Sequence, residues 1–200
     1  DTYSSRNVIA HNTANISDAP ILILGAHYDT VPDSQGANDN GSGLAVLVTV
    51  ARQMADKPIP FQLRLIAFGA EEIGLFGSRH YVAGLEEYEK DNVLAMINFD
   101  SLASGSDIHL VGDSKLAGRV MKYGQRNNIK VNIGSIPDGV QSDHVPFRDL
   151  GIPALMFISD DLSRINTQMD TIEFINRGLM AEAVALMLGL IDDFTNENRE

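Results

Sequence analysis

The chain has 200 residues, with 15 Lys and Arg against 27 Asp and Glu, and a formal net charge of −12 at pH 7. Hydrophobic residues make up 44% of it and charged residues 21%, a globular composition that excludes a disordered chain. The acidic balance argues against nucleic acid as a partner, because phosphate backbones bind basic surfaces. Cysteine is absent, which excludes disulfides, thiolate metal sites and cysteine nucleophiles. No apolar run reaches the roughly 18 residues that a membrane-spanning helix needs.

Strand-like and helix-like segments alternate along the chain. Apolar runs predict buried strands over 21–26, 61–68, 93–99 and 152–158, and shorter ones over 7–10 and 108–111. Helical spacing of apolar residues predicts helices over 41–54, 75–89, 116–125 and 172–194. This alternation is typical of a mostly parallel sheet covered on both faces. We therefore predict an α/β fold of three layers, with helices on both faces of a mixed, mostly parallel sheet.

The sequence shows no internal boundary. No repeat, low-complexity tract or linker divides it, so we expect a single domain over residues 1–200. The chain opens at Asp1 without an initiator Met, which is compatible with trimming from a longer protein. No secretion signal is visible, so the N-terminus does not indicate a compartment.

Acidic side chains and one imidazole follow the predicted strands, in this order along the chain: His27, Asp29, Glu71, Glu72 and Asp100. Asp39 lies in a loop rich in Gly and Asn, just before the first predicted helix. The carboxyl ends of parallel strands share the edge of a sheet at which ligands bind. Close carboxylates repel one another unless a cation lies between them, and these motifs contain no Lys or Arg. Nitrogen and oxygen ligands suit zinc, manganese or cobalt.

Each of these residues also has an ordinary structural explanation. A lone His at a strand end is more often structural than a metal ligand, and Asp39 suits a turn. Glu71 and Glu72 could open a solvated helix. The joint occurrence of the imidazole and all these carboxylates favours a metal site. In such a site, one glutamate binds metal and the other accepts a proton from metal-activated water. Asp29 is spaced to fix the tautomer of the preceding imidazole.

Several stretches resemble the co-catalytic di-zinc exopeptidases, a family that includes the bacterial leucyl aminopeptidases, glutamate carboxypeptidase II and the transferrin receptor. The stretches are GAHYDTVPDSQGANDNGSG (25–43), FGAEEIGLFGS (68–78), INFDS (97–101), SDHVPFRDLGIPA (142–154) and DTIE (170–173). They run in family order across nearly the whole chain. The resemblance implies a metallo-exopeptidase catalytic domain of the zinc-exopeptidase fold.

The resemblance also implies two Zn²⁺ ions. His27 and Asp100 are similar to the ligands of one zinc, and Asp39 to the carboxylate that bridges both. Glu72 is similar to a ligand of the second zinc. A cis peptide bond is expected after Asp39.

The implied reaction is hydrolysis of a peptide with a free N-terminus. Glu71 is similar to the family's general base, which accepts a proton from the attacking water and returns it to the leaving amine. Asp29 is similar to the residue that contacts the metal-binding His. Ile165 and Phe157 are expected to line a pocket for the substrate side chain.

One position departs from the family pattern. The family has a metal-binding His four residues before the Asp of the DT pair, and this chain has Asn166 there. A neutral amide oxygen is a weaker zinc donor than imidazole. We therefore expect the second metal position to be weakened, with a single Zn²⁺ as the alternative outcome. His144 is the best candidate for a replacement ligand.

The sequence favours a zinc-dependent aminopeptidase with activity reduced by Asn166, but it leaves alternatives open. Arg148 and Arg164 lie near the site motifs and could bind the terminal carboxylate that a carboxypeptidase recognises. The missing His leaves open a non-catalytic binding or scaffold homologue. A glutaminyl-cyclase-like transferase, which uses one zinc on the same scaffold, is a further alternative. Because family members are often secreted, a secreted or extracytoplasmic location is the expectation.

Overall fold

The computed structural model of the protein describes residues 4–12, 19–135 and 141–198. Both ends of the predicted domain, 1–3 and 199–200, lie outside these residues. The described strands are β1 (Val8–His11), β2 (Ile21–His27), β3 (Gln62–Phe68), β4 (Val93–Phe99), β5 (Ile108–Gly112), β6 (Val131–Ile133) and β7 (Ala154–Ser159). They form a single sheet in the order β1-β3-β2-β4-β7-β5-β6.

The centre of this sheet is parallel. β2 pairs in parallel with both β3 and β4, and β4 pairs in parallel with β7. β1 is antiparallel to β3 at one edge, and β5 is antiparallel to β7 towards the other. The carboxyl ends of β3, β2, β4 and β7 therefore lie along one edge. This confirms the predicted mixed, mostly parallel sheet.

Helices cover both faces. They are α1 (Gly43–Met54), α2 (Phe76–Ala83), α3 (Glu87–Asn92), α4 (Ser114–Asn127), α5 (Val145–Asp149) and α6 (Arg177–Glu197). Along β2, Leu22 and Leu24 face a hydrophobic cluster that includes side chains of α1, α4 and α6. Ile21 and Ile23 point to the opposite face, where Val82 of α2 and Phe147 of α5 pack. This alternation, which follows from the two-residue period of a strand, confirms the three layers.

The helix predicted over 75–89 is wrong as a single element. α2 ends at Gly84, whose N–H bonds to the carbonyl of His80, and α3 begins after Glu86. Glu86 and Glu89 exchange cap hydrogen bonds between side chain and backbone. A glycine stop followed by a capping box divides the segment in two.

Two other predicted helices begin later than expected. The residues before α6 form a short 3₁₀ turn, Ile172–Phe174, and Asn176 then caps the helix by accepting a hydrogen bond from the N–H of Gly178 at 3.0 Å. α1 begins at Gly43, because Ala37–Ser42 form an irregular turn with non-helical backbone at Asp39. The short elements β6 and α5 were not predicted from the sequence. None of the helices within the described ranges combines the length and hydrophobicity needed to cross a bilayer.

Candidate metal centre

His27, the last residue of β2, lies at the centre of the site. Its ring is 1% exposed, and Nε2 lies 3.1 Å from Oδ1 of Asp39 and 3.4 Å from Oδ1 of Asp100. The other ring nitrogen, Nδ1, lies 3.0 Å from the backbone oxygen of Asp29 and 3.8 Å from its carboxylate. The predicted contact between Asp29 and the ring is therefore made chiefly by the backbone carbonyl.

The loop that carries Asp39 is tied to the end of β4. The Asn40 side chain donates to the carbonyl of Phe99 over 2.8 Å and accepts from the N–H of Gly43 over 3.0 Å. A Cβ at position 43 would collide with the Asn40 side chain and the Phe99 carbonyl, so this close approach requires glycine. The peptide bond between Asp39 and Asn40 is cis, as expected.

Asp100 follows β4 directly and is held by two hydroxyl groups. Ser142 donates to its Oδ2 over 2.6 Å, and Ser101 donates to its Oδ1 over 3.2 Å. Asn98 in turn donates to the Ser142 hydroxyl over 2.7 Å. Ser142 was not among the predicted site residues, although it opens the stretch over 142–154 that resembles the family. Its hydroxyl fixes the orientation of the Asp100 carboxylate.

Glu71 and Glu72 follow β3, and their backbone is held by Asp29. The carboxylate of Asp29 accepts from the N–H of Glu71 at 3.0 Å and from that of Glu72 at 3.2 Å. Glu72 Oε1 is buried and has no hydrogen-bond partner in the part of the chain that the structure describes. A buried carboxylate oxygen without a donor is costly unless a cation contacts it.

Among the described residues, two groups of three side chains each bring possible ligand atoms within 4.8 Å of one another. They are His27 with Asp39 and Glu72, and His27 with Glu71 and Asp100. The imidazole belongs to both. Apart from Asn166, every predicted metal ligand thus lies in one cluster at the carboxyl ends of β2, β3 and β4, together with the predicted base.

The pKa values in the cluster reflect its concentration of negative charge. Burial lowers the pKa of His27, but Asp100 and hydrogen bonds with Asp100 and Asp39 raise it more, to about 12. Burial and the charge of Asp100 raise the pKa of Glu71 to about 9. Burial and Asp39 raise the pKa of Glu72 to about 7. Within the described residues, none of the cluster's carboxylates forms an ion pair with Lys or Arg. A divalent cation would supply the missing positive charge.

Asn166 is exposed, in a turn that follows β7, and has a left-handed backbone with φ 59°. Asn and His enter this conformation more readily than most side chains, so a histidine would fit the same backbone. Ile165 beside it is half-buried, and its substrate-lining role stays a prediction.

The expected pocket role of Phe157 is wrong, and His144 gains no support as a replacement ligand. Phe157 is fully buried in β7 and packs edge to face on Phe99, with ring centroids 5.6 Å apart, so its ring has no surface to offer a substrate. His144 is also buried, and burial together with Arg148 lowers its pKa to about 4. It belongs to neither ligand cluster found among the described residues.

Comparison with known proteins decides the family. The profile of peptidase family M28 matches residues 7–191. The chain belongs to peptidase family M28. This confirms the resemblance to the zinc exopeptidases that the sequence motifs indicated.

Two similar proteins cover nearly all of this M28 chain. Aminopeptidase YwaD of Bacillus subtilis (strain 168) is 32% identical over 210 residues, which are 98% of this chain and 46% of that protein. The solved structure of BSAP, a zinc aminopeptidase from Bacillus subtilis, aligns with a TM-score of 0.86 at 32% identity, over 94% of this chain and 49% of that one. The M28 chain thus spans about half the length of these relatives.

A more distant structure shares only the fold. A glutaminyl cyclase from an Acidobacteriales bacterium aligns with a TM-score of 0.79 at 22% identity, over 96% of this chain and 74% of that one. At this identity the likeness shows a common architecture and carries no argument about the reaction.

Proposed function

We propose that this chain is the catalytic core of a zinc-dependent aminopeptidase, which removes the N-terminal residue of a peptide. The observation that carries the proposal is the shared position of His27 in two groups of potential metal ligands. The names of YwaD and BSAP support it, because both are aminopeptidases and BSAP is a zinc enzyme. A secreted or extracytoplasmic location, expected from the family, is part of the proposal.

The donor set fits zinc. The site offers one imidazole and several carboxylates at a buried position, and none of these carboxylates pairs with a Lys or Arg among the described residues. Nitrogen and oxygen donors of this kind suit zinc. His27, Asp39 and Asp100 would hold one zinc, and Asp39 with Glu72 would hold the second. The orphaned Oε1 of Glu72 supports this assignment. Because Asn166 is a weak donor, we propose that the second position binds zinc less tightly than the first.

Zinc bound here would lower the pKa of a water and polarise the scissile carbonyl. Glu71 accepts the proton of the attacking water and donates it to the leaving amino group. Burial and the charge of Asp100 raise the pKa of this carboxyl to about 9 in the metal-free chain. A cation bound beside it would favour the ionised form, which is the form that accepts the proton. Asp29 holds the backbone of Glu71 in place while the proton moves.

The charges around the site favour an amino group over a carboxylate as the recognised substrate terminus. The two arginines considered for a carboxypeptidase are engaged elsewhere. Arg148 pairs with Asp149 at 2.9 Å. Arg164 pairs with Asp161 at 3.1 Å and lies 4.4 Å from the ring centre of Phe174. Neither of these two arginines is therefore placed to serve a terminal carboxylate, which favours the amino terminus as the recognised end.

The proposal is tested with the zinc-equilibrated chain and two substrates, leucine p-nitroanilide and its N-acetylated form. We expect hydrolysis of the free amine only, and its loss in Glu71→Gln. Zinc binding without hydrolysis of either substrate would favour the non-catalytic homologue. Zinc-dependent cleavage of an N-blocked peptide from its carboxyl end would favour a carboxypeptidase.

A further inference from the structure

We propose that Asp170 is a positioning residue for the metal centre, acting through the backbone of Asp39. The inference rests on the proposed function and deepens it. Asp170 is 2% exposed, and its carboxylate accepts from the N–H of Asn38 at 2.7 Å and from that of Asp39 at 2.9 Å. Its backbone oxygen also accepts from the N–H of Ala37 at 3.4 Å. Three consecutive amides of the loop therefore bind one residue.

These hydrogen bonds fix the backbone of Asp39, whose carboxylate is a proposed ligand of both metal positions. Asp39 has a non-helical backbone, with φ −108° and ψ 86°, so the helix that follows does not determine its orientation. A buried carboxylate that accepts two N–H groups forms strong, charge-assisted hydrogen bonds. Fixing the N–H of Asp39 restricts the direction of its side chain, whose Oδ1 lies 3.1 Å from Nε2 of His27.

Asp170 also closes the turn that carries Asn166. Its N–H bonds to the carbonyl of Thr167 at 3.2 Å, and the Thr167 hydroxyl donates to the carbonyl of Arg164 at 2.7 Å. The N–H of Met169 donates to the same hydroxyl at 3.0 Å. The carboxylate of Asp170 thus joins an internally bonded turn, with position 166 in it, to the loop of Asp39. The contact therefore links the segments of Asp39 and Asn166, two of the residues considered for the second metal position.

Three side chains at position 170 differ in how many hydrogen bonds they can accept from the loop of Asp39. Aspartate offers an acceptor to each of the two amides. Asparagine has nearly the same shape but replaces one acceptor with an NH₂ group, which faces an N–H and repels it. Alanine offers neither. Zinc affinity should therefore fall in the order Asp, Asn, Ala.

The test measures zinc dissociation constants by competition with a chromophoric chelator, beside urea unfolding of the metal-free protein. The variants are Asp170→Asn and Asp170→Ala, with Asp113→Ala as the matched control. The Asp113 carboxylate also accepts from two backbone amides, those of Lys115 and Leu116, both at 2.9 Å, but at the start of α4. We expect a dissociation constant about 10–100-fold higher in Asp170→Ala, a smaller increase in Asp170→Asn, and none in Asp113→Ala.

The inference is overturned if the Asp170 variants lose stability as the control does and keep the zinc affinity of the unmodified chain. If Asp170→Ala does not fold, the nearly isosteric Asp170→Asn carries the same test. A second readout is the gain in zinc affinity from Asn166→His, which should shrink in the Asp170→Asn background if the two positions are coupled. A chain that binds no zinc in its unmodified form refutes the proposed function itself. Unchanged affinity in the variants refutes only the role of Asp170.

Discussion

The backbone N–H of Glu71 donates to the carboxylate of Asp29 over 3.0 Å, and this hydrogen bond joins the ends of two neighbouring strands. Asp29 follows β2, and Glu71 follows β3. The same carboxylate accepts from Glu72, while the backbone oxygen of Asp29 contacts the His27 ring. One residue therefore fixes both the shared imidazole and the tandem glutamates, although it lies outside both ligand groups.

Replacing Asp29 tests this arrangement. In Asp29→Ala the backbone N–H groups of Glu71 and Glu72 lose their hydrogen-bond acceptor. The Glu71 carboxylate, which accepts the proton in the reaction, is then no longer held in a fixed position beside the metal ligands. We expect kcat for leucine p-nitroanilide to fall about 10–100-fold, the range typical for residues that orient a metal site, with a smaller change in KM. Asp113→Ala, which also removes a carboxylate bound to two backbone amides, should leave kcat unchanged. Equal kcat values for Asp29→Ala and the unmodified chain would contradict the account.

The adjacent glutamates provide a matched pair of variants with opposite expected effects. Glu71→Gln removes the proton acceptor, so kcat should fall by about 10²–10⁴ while zinc binding is retained. Glu72→Gln weakens a ligand, so zinc affinity should fall first, and excess zinc should restore part of the activity. Steady-state kinetics and zinc titration of both variants separate these roles. A loss of zinc in Glu71→Gln with none in Glu72→Gln would reverse the assignment.

The metal-free protein should become less stable as the pH rises. Burial and Asp100 raise the pKa of Glu71 from 4.5 to about 9, and burial and Asp39 raise that of Glu72 to about 7. A carboxyl with a higher pKa in the folded protein stabilises it below the unfolded value, and this contribution is lost as the pH rises through the folded value.

We therefore expect the melting temperature, measured in the presence of a chelator, to decline between about pH 5 and pH 9. Glu71→Gln should show a shallower decline, because it removes one of the carboxyl groups whose pKa is raised in the folded chain. Saturating zinc should raise the melting temperature most at the alkaline end, since zinc binds the ionised carboxylates. A profile that rises with pH in the metal-free protein would show that the cluster is ionised without a cation.

Restoring the family histidine tests the role of Asn166. Its left-handed backbone accepts histidine, so Asn166→His should fold normally. We expect tighter binding of a second zinc and higher kcat/KM. Asn128→His is the control, because Asn128 is also an exposed asparagine with positive φ, 55°, at the end of α4. Equal zinc binding in both variants would show that position 166 does not contribute to the metal centre.

The fold and the core of the site could be predicted because their signals are local. β2 and β4 are rich in apolar residues, and β3 becomes wholly apolar after Arg64, so the ends of these strands are visible in the sequence within a residue or two. The ligands follow those ends directly. The predictions of helices and strands failed where local sequence signals compete with one another or are weak. Gly84 interrupts a helical pattern that continues beyond it, and the short β6 has too few residues to show a period.

The supporting contacts could not be predicted, since they join distant parts of the chain. Ser142 meets Asp100 across 42 positions, and Asp170 meets Asp39 across 131. No spacing rule predicts such pairs, because the sheet order brings them together. Phe157 was misplaced for a related reason. It lies on a strand buried on both faces, and only the packing against Phe99 shows that its ring faces the core.

The most direct test of the account is the number of zinc ions bound per chain, measured by native mass spectrometry after equilibration with zinc and desalting. His27, Asp39 and Asp100 would hold the tighter zinc, so the account predicts at least one zinc in the unmodified chain and fewer zinc ions in His27→Ala. The control His109→Ala, which removes a histidine of β5 outside both groups, should keep the zinc. No zinc in the unmodified chain, or equal zinc with and without the His27 imidazole, would contradict the assignment of this cluster as a metal centre.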